Sequence, residues 1–148
     1  MTARSKPATA PVTVALLVTH ATLALAAITA SILGVVARTP ARLRRMATWL
    51  FGAVVAQTLV GDVLYPFYLR EAKPVLAKLS AGSRSVADVF DVKEHLAFFA
   101  LVLAVGVFVL TRREPRATPF VRMLFGCAHG AVIVVAILGA VVASVATP

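Results

Sequence analysis

The stretch FDVKEHLAFFALVLAVGVFVLTRR, residues 90–113, decides the fold of this chain. Charged and polar side chains open it, a long apolar run follows, and two arginines stand at its end. A helix of about 20 apolar residues crosses a bilayer, and a helix satisfies its own backbone hydrogen bonds in lipid. The stretch therefore predicts a membrane-spanning helix over about 92–111, with a polar group of residues at its start.

Three further apolar segments have the same character. The predicted spans cover about 12–37, 46–69, 92–111 and 120–146. The chain is 60% hydrophobic, above the roughly 45–50% of soluble domains. Because 148 residues offer too little interior for that excess, it indicates contact with a lipid bilayer. We expect one all-α transmembrane domain over 1–148, an integral membrane up-down four-helix bundle with an outer loop at about 70–91.

The first apolar segment has a second interpretation. MTARSK at residues 1–6, followed by an Ala-rich run ending in ITAS at 28–31, also fits a cleavable secretory signal peptide. The run continues through SILGVVA at 31–37, and this favours a complete span.

The basic residues predict the orientation. The net charge is +9, and arginines concentrate in the short connections RTPARLRR, 38–45, and RREPRATP, 112–119. Basic residues favour the cytoplasmic side of a membrane, so both termini are expected outside, in a multi-pass protein of the bacterial inner membrane. This charge also suits anionic headgroups. The sequence has no nucleic-acid-binding motif, and we expect no nucleic-acid partner.

Polar side chains of three predicted spans share one depth. Counted from the predicted cytoplasmic ends at about 1.5 Å per residue, His20, Asp62 and His95 lie roughly 23–25 Å up, near the outer face. Gln57 and His129 lie nearer the midplane. Since polar groups in lipid need a partner or a purpose, this layer predicts a shared polar site.

Further polar residues flank that layer. Tyr65 and Tyr68 share a helix face with Gln57 and also fit an aromatic belt at the membrane interface. Pro66 removes a backbone donor, so a kink is expected there. Glu94 is expected at the rim, where it pairs with a neighbouring basic side chain.

One hypothesis is an electron-transfer protein with one b-type haem. His20 and His95, on diagonal helices at one depth, are the candidate axial ligands, and His129 is a deeper alternative. Asp91, one turn before His95, is a candidate to orient its ring. This architecture is similar to that of the four-helix membrane cytochromes b, which pass electrons between quinol and haem. The similarity implies a quinone partner, although two-haem members need four histidines and this chain has three.

Two other hypotheses stay open. His20, Asp62 and His95, together with Glu94, suit a divalent metal or a proton relay. Alternatively, the chain binds no cofactor and is a homo-oligomer, or a non-catalytic subunit or scaffold of a larger membrane complex. Small residues that allow close helix packing fit this last alternative. The sequence shows no nucleophile motif or phosphate loop, so whether it is an enzyme stays open.

One pair of segments carries a further resemblance. YPFYLR at 65–70, followed by FDVKEHLAFF at 90–99, resembles uncharacterised small bacterial four-span inner-membrane proteins. The likeness covers about residues 57–100 and implies a four-helix inner-membrane protein, with His95 and the 65–70 segment as the first positions to test.

Overall fold

The computed structural model describes residues 11–72, 85–114 and 118–146, and these parts of the chain are helical apart from short connections such as 36–39. The long helices are α1 (Pro11–Val35), α2 (Pro40–Phe67), α3 (Ser85–Arg113) and α4 (Pro119–Ala146). Within the described residues, four segments are long and apolar enough to cross a membrane: Val12–Val35, Pro40–Arg70, Asp91–Arg113 and Pro119–Val141. The prediction of an all-helical chain with four such helices is confirmed. Of the predicted outer loop, residues 73–84 lie outside the described residues.

Two helices begin earlier than predicted. The hydroxyl oxygen of Thr39 accepts a 3.3 Å hydrogen bond from the Arg42 N–H, and Pro40 occupies the first turn, so α2 starts before its apolar part. α3 likewise starts at Ser85, within polar sequence. Both helices therefore extend beyond their apolar segments.

The helix type changes just after Pro66. α2 continues through Pro66 to Phe67 and is followed by a short π-helical turn, Tyr68–Ala72. The Tyr68 N–H is shared between the carbonyls of Leu64 and Tyr65. The proline thus precedes a wider turn at the end of α2.

Small side chains form much of the core. α1 packs against α2 and α4, and α3 packs against the same two helices. Seven core alanines are less than 5% exposed: Ala27, Ala30, Ala37, Ala47, Ala100, Ala104 and Ala128. The fully buried Phe125 ring of α4 lies directly against Gly34 of α1, where a Cβ would overlap it. Small residues at these contacts allow the helix backbones to approach closely.

Aromatic and basic side chains join α2 to α3. The Phe51 and Phe108 rings stack with centroids 4.7 Å apart. The Arg112 guanidinium lies 4.7 Å from the centre of the Phe108 ring and donates to the Thr48 hydroxyl at 3.4 Å. Because the later residue of α3 contacts the earlier residue of α2, the two helices run in opposite directions here. This register fixes the relative depth of residues further along both helices.

Candidate functional site

His20 of α1 lies partly buried against α2. A Cβ at Gly61 would stand 3.4 Å from the His20 Cε1, an ordinary van der Waals distance, so the ring lies close to the α2 backbone. The Nδ1 atom is buried and has no hydrogen-bond partner among the described residues. The backbone of Gln57 is near enough to interact electrostatically with the ring, although it does not satisfy Nδ1.

Lys93 of α3 extends into the bundle. Its Cε would stand 3.5 Å from a Cβ at Gly139 of α4, and the side chain is partly buried. Its charge acts on His20, and Glu94 is the acidic group that acts on Lys93. We call His20 and Lys93 the His–Lys pair. Two nitrogen bases within electrostatic reach of each other repel when both are protonated, so the proton occupancy of one affects the other.

A small cavity lies between α2, α3 and α4, close to the His–Lys pair. Gln57 and Thr58 of α2, Ala97 and Ala100 of α3, and Val135 of α4 are among the residues that line it. Its volume of about 20 Å³ admits one water molecule. That volume is far below the roughly 300 Å³ of the smallest ligand pockets, so no haem fits in it. Gln57 links the cavity to the His–Lys pair, since its backbone faces His20.

Deeper in the bundle, Ser31 of α1 contacts His129 of α4. The Ser31 Oγ lies 2.8 Å from the His129 Nδ1, and the same hydroxyl donates to the Ile28 carbonyl at 2.7 Å. A serine hydroxyl has one proton, so the arrangement satisfies both contacts only if the His129 Nδ1–H donates to Ser31. His129 therefore joins two helices through a directed hydrogen bond.

His95 and Asp62 lie on the surface of the chain. His95 is exposed, and its Nδ1 donates to the Asp91 backbone carbonyl at 2.7 Å. Asp62 is exposed on α2. The structure therefore does not bring His20 and His95 together, because one ring packs against α2 while the other points away from the bundle. It is the carbonyl of Asp91 that orients the His95 ring.

The aromatic and acidic candidates meet where α2 ends and α3 begins. The Tyr65 and Tyr68 rings have centroids 6.5 Å apart. The charges of Asp91 and Glu94 act on Tyr68. These four residues form a second polar group, and Glu94 connects it electrostatically to Lys93.

Within the described residues, no three His, Cys, Asp or Glu side chains are grouped so that they could hold a metal ion. Asp62 and His95 are exposed and His20 is partly buried, so the proposed metal set is not assembled in one chain. Haem and metal binding stay predictions.

Comparison with known proteins adds no identification. No protein-family model, no curated protein sequence and no solved structure matches this chain. The resemblance to small four-span proteins stays a prediction, and a functional proposal has to rest on the geometry of the site.

The inward position of Lys93 was missed at the sequence level. Lys93 is not among the site residues predicted from the sequence. Its spacing carries a signal, because Lys93, Ala97, Ala100, Ala104 and Val107 recur at alternating intervals of four and three residues. The last three of these are buried, and Lys93 continues their face.

Proposed function

We propose that this chain is a multi-pass membrane protein that takes up and passes protons through the His–Lys pair. The observation that carries the proposal is the buried Nδ1 of His20, which has no partner among the described residues. An unsatisfied buried polar atom costs about 1–3 kcal/mol, and an ionisable group at membrane depth is a functional candidate by default. An imidazole that can gain or lose a proton beside a second base is suited to proton exchange.

The neighbouring polar groups supply a continuation of that path. A water in the cavity needs two to four polar partners, and Gln57 and Thr58 line the space where it would sit. Ser31 lies about 16 Å further along α1 than His20 and contacts His129. The proposed order is therefore the His–Lys pair, the cavity water, and then the Ser31–His129 hydrogen bond.

The proposal includes an orientation. The helices cross in up-down order, with the arginine-rich connections on the cytoplasmic side of a bacterial inner membrane and both termini outside. The His–Lys pair then lies in the outer half of the bilayer, and His129 lies nearer the cytoplasm.

Proton flux into liposomes tests this function. The purified chain is reconstituted with an internal pH-sensitive dye, and a potassium diffusion potential drives protons inward. We expect His20→Gln to lower the flux about tenfold or more, since positioned proton-transfer groups typically contribute at least that much. Thr22→Val is the matched control on α1, because Thr22 is exposed and its hydroxyl donates only to the Val18 carbonyl. Flux that is unchanged in correctly folded His20→Gln would overturn the proposal.

A second candidate, binding of one b-type haem or a divalent metal for electron transfer, uses the same unsatisfied nitrogen. His20 would supply one ligand, and the chemistry supplied by the bound group would be one-electron exchange, with quinone as the proposed partner. The described residues of one chain do not place a second imidazole beside it, so the group does not fit within a single chain. A visible spectrum with a Soret band that disappears in both His20→Ala and His95→Ala would favour this candidate.

A further inference from the structure

Two ionisable side chains lie on the outside of the bundle at membrane depth. Asp62 is exposed within the candidate span Pro40–Arg70, and His95 is exposed within Asp91–Arg113. Within the described residues neither side chain makes an ion pair, and the hydrogen bond of His95 to the Asp91 carbonyl runs within its own helix. Charged side chains that face lipid are costly and rare. A polar partner would therefore lower the cost of placing both groups in a bilayer.

Asp62 and His95 also share a depth. The stacking of Phe51 on Phe108 fixes the register of α2 against α3. Asp62 lies about 17 Å along α2 from Phe51, and His95 lies about 20 Å along α3 from Phe108, towards the same end of the bundle. The carboxylate and the imidazole are thus level to within about 3 Å along the helices.

We infer that the surface formed by Asp62, His95, Phe98 and Val102 binds a second copy of this chain. A surface with both a carboxylate and an imidazole at one depth is complementary to itself. A two-fold axis along the membrane normal would place Asp62 of each copy opposite His95 of the other, which makes two identical pairs. No other partner is required to satisfy both groups.

The hydrogen-bonding state of His95 fits this contact. Its Nδ1 already donates to the Asp91 carbonyl, so Nε2 is the atom left to meet the carboxyl group of the second copy. One proton between Nε2 and the carboxyl oxygen gives a hydrogen bond whether it resides on the imidazole or on the acid. The pair is therefore satisfied without a separate counter-ion.

The rest of the surface suits helix packing. Below His95, the exposed residues Phe98, Val102, Val105 and Val109 recur at alternating intervals of four and three residues. This spacing lets two helices pack along a left-handed seam. In lipid, packing along this seam contributes to association of the two copies. The Asp62–His95 pair determines which helix faces meet and in which register.

Association in bilayers tests the inference. Donor- and acceptor-labelled chains are reconstituted together, and energy transfer is measured as lipid is added. We expect Asp62→Ala and His95→Ala each to weaken association about three- to tenfold, the range that interhelical polar contacts give. The exchange Asp62→His with His95→Asp should restore association, because the two groups only change places. Thr29→Val on α1 is the control, since Thr29 is exposed and its hydroxyl donates to the Leu25 carbonyl.

Three results would overturn the inference. The first is a wild-type chain that stays monomeric at every protein-to-lipid ratio. The second is association that neither single substitution weakens, or that the exchange fails to restore. The third is association lost in Gly130→Leu but kept in Asp62→Ala, which would assign the contact to the exposed glycines of α4. The readout is independent of proton flux, so it can fail while the proposed function holds.

Discussion

At the scale of single residues, Gly34 sets the distance between α1 and α4. A Cβ at this position would overlap the ring of Phe125, which is fully buried. A ring in a packed core cannot move aside without displacing its neighbours. The contact therefore depends on the hydrogen atom that glycine has in place of a side chain.

We expect Gly34→Ala to destabilise the bundle by about 1–3 kcal/mol, because the added methyl group overpacks the core. The measurement is reversible unfolding in mixed micelles, followed by helical circular dichroism. Gly52→Ala is the control, since Gly52 is exposed and nothing lies within 4 Å of its Cβ position. There we expect a gain of about 0.5–1 kcal/mol from helix propensity. Equal stability of the two variants would contradict this account of the α1–α4 contact.

At the scale of helices, hydropathy predicted the four segments but not their ends or faces. Apolar composition is a local property, so the existence of each helix could be predicted. The starts at Pro40 and Ser85 could not, because capping and hydrogen bonding carry a helix into polar sequence. The inward Lys93 and the outward His95 depend on how α3 is rotated against its neighbours. The depth of a residue along its helix can be counted from the sequence, whereas the rotation of α3 about its axis depends on packing.

The start of α2 gives a prediction at this scale. Thr39 caps the helix by accepting from the Arg42 N–H, and loss of such a cap typically costs about 0.5–2 kcal/mol. We expect Thr39→Ala to lower the free energy of unfolding within this range, while Thr39→Asp should preserve it. Amide hydrogen exchange at residues 41–43 should rise in the alanine variant only. Unchanged exchange there would show that the apolar part of α2 alone holds its first turn.

At the scale of the whole molecule, the outer surface of the chain is strongly apolar. Trp49 is 63% exposed and Phe98 is 69% exposed, and each candidate span carries further exposed large hydrophobic residues. Such a surface is compatible with a lipid bilayer. The polar groups on it, Asp62 and His95, stand out because lipid offers them no partner.

Chemical labelling of Cys127 tests whether α4 is inserted in a membrane. It is the single cysteine of the chain and is exposed on α4 within the candidate span Pro119–Val141. If a bilayer covers this surface, a membrane-impermeant maleimide should leave Cys127 unlabelled in sealed vesicles and should react after denaturation in SDS. A Cys127→Ser variant that carries Glu114→Cys is the positive control in inside-out vesicles, since residue 114 lies beyond the end of α3 on the proposed cytoplasmic side. Rapid labelling of Cys127 in intact vesicles would show that lipid does not cover this face.

The single hydroxyl proton of Ser31 makes the contact with His129 directional. While that proton is held by the Ile28 carbonyl, the imidazole can exchange protons with its surroundings only at Nε2. Movement of a proton beyond Ser31 along α1 therefore requires the hydroxyl to rotate about its Cβ–Oγ bond and release Ile28. Replacement of the serine by alanine would abolish that rotation while leaving Nε2 exchange in place.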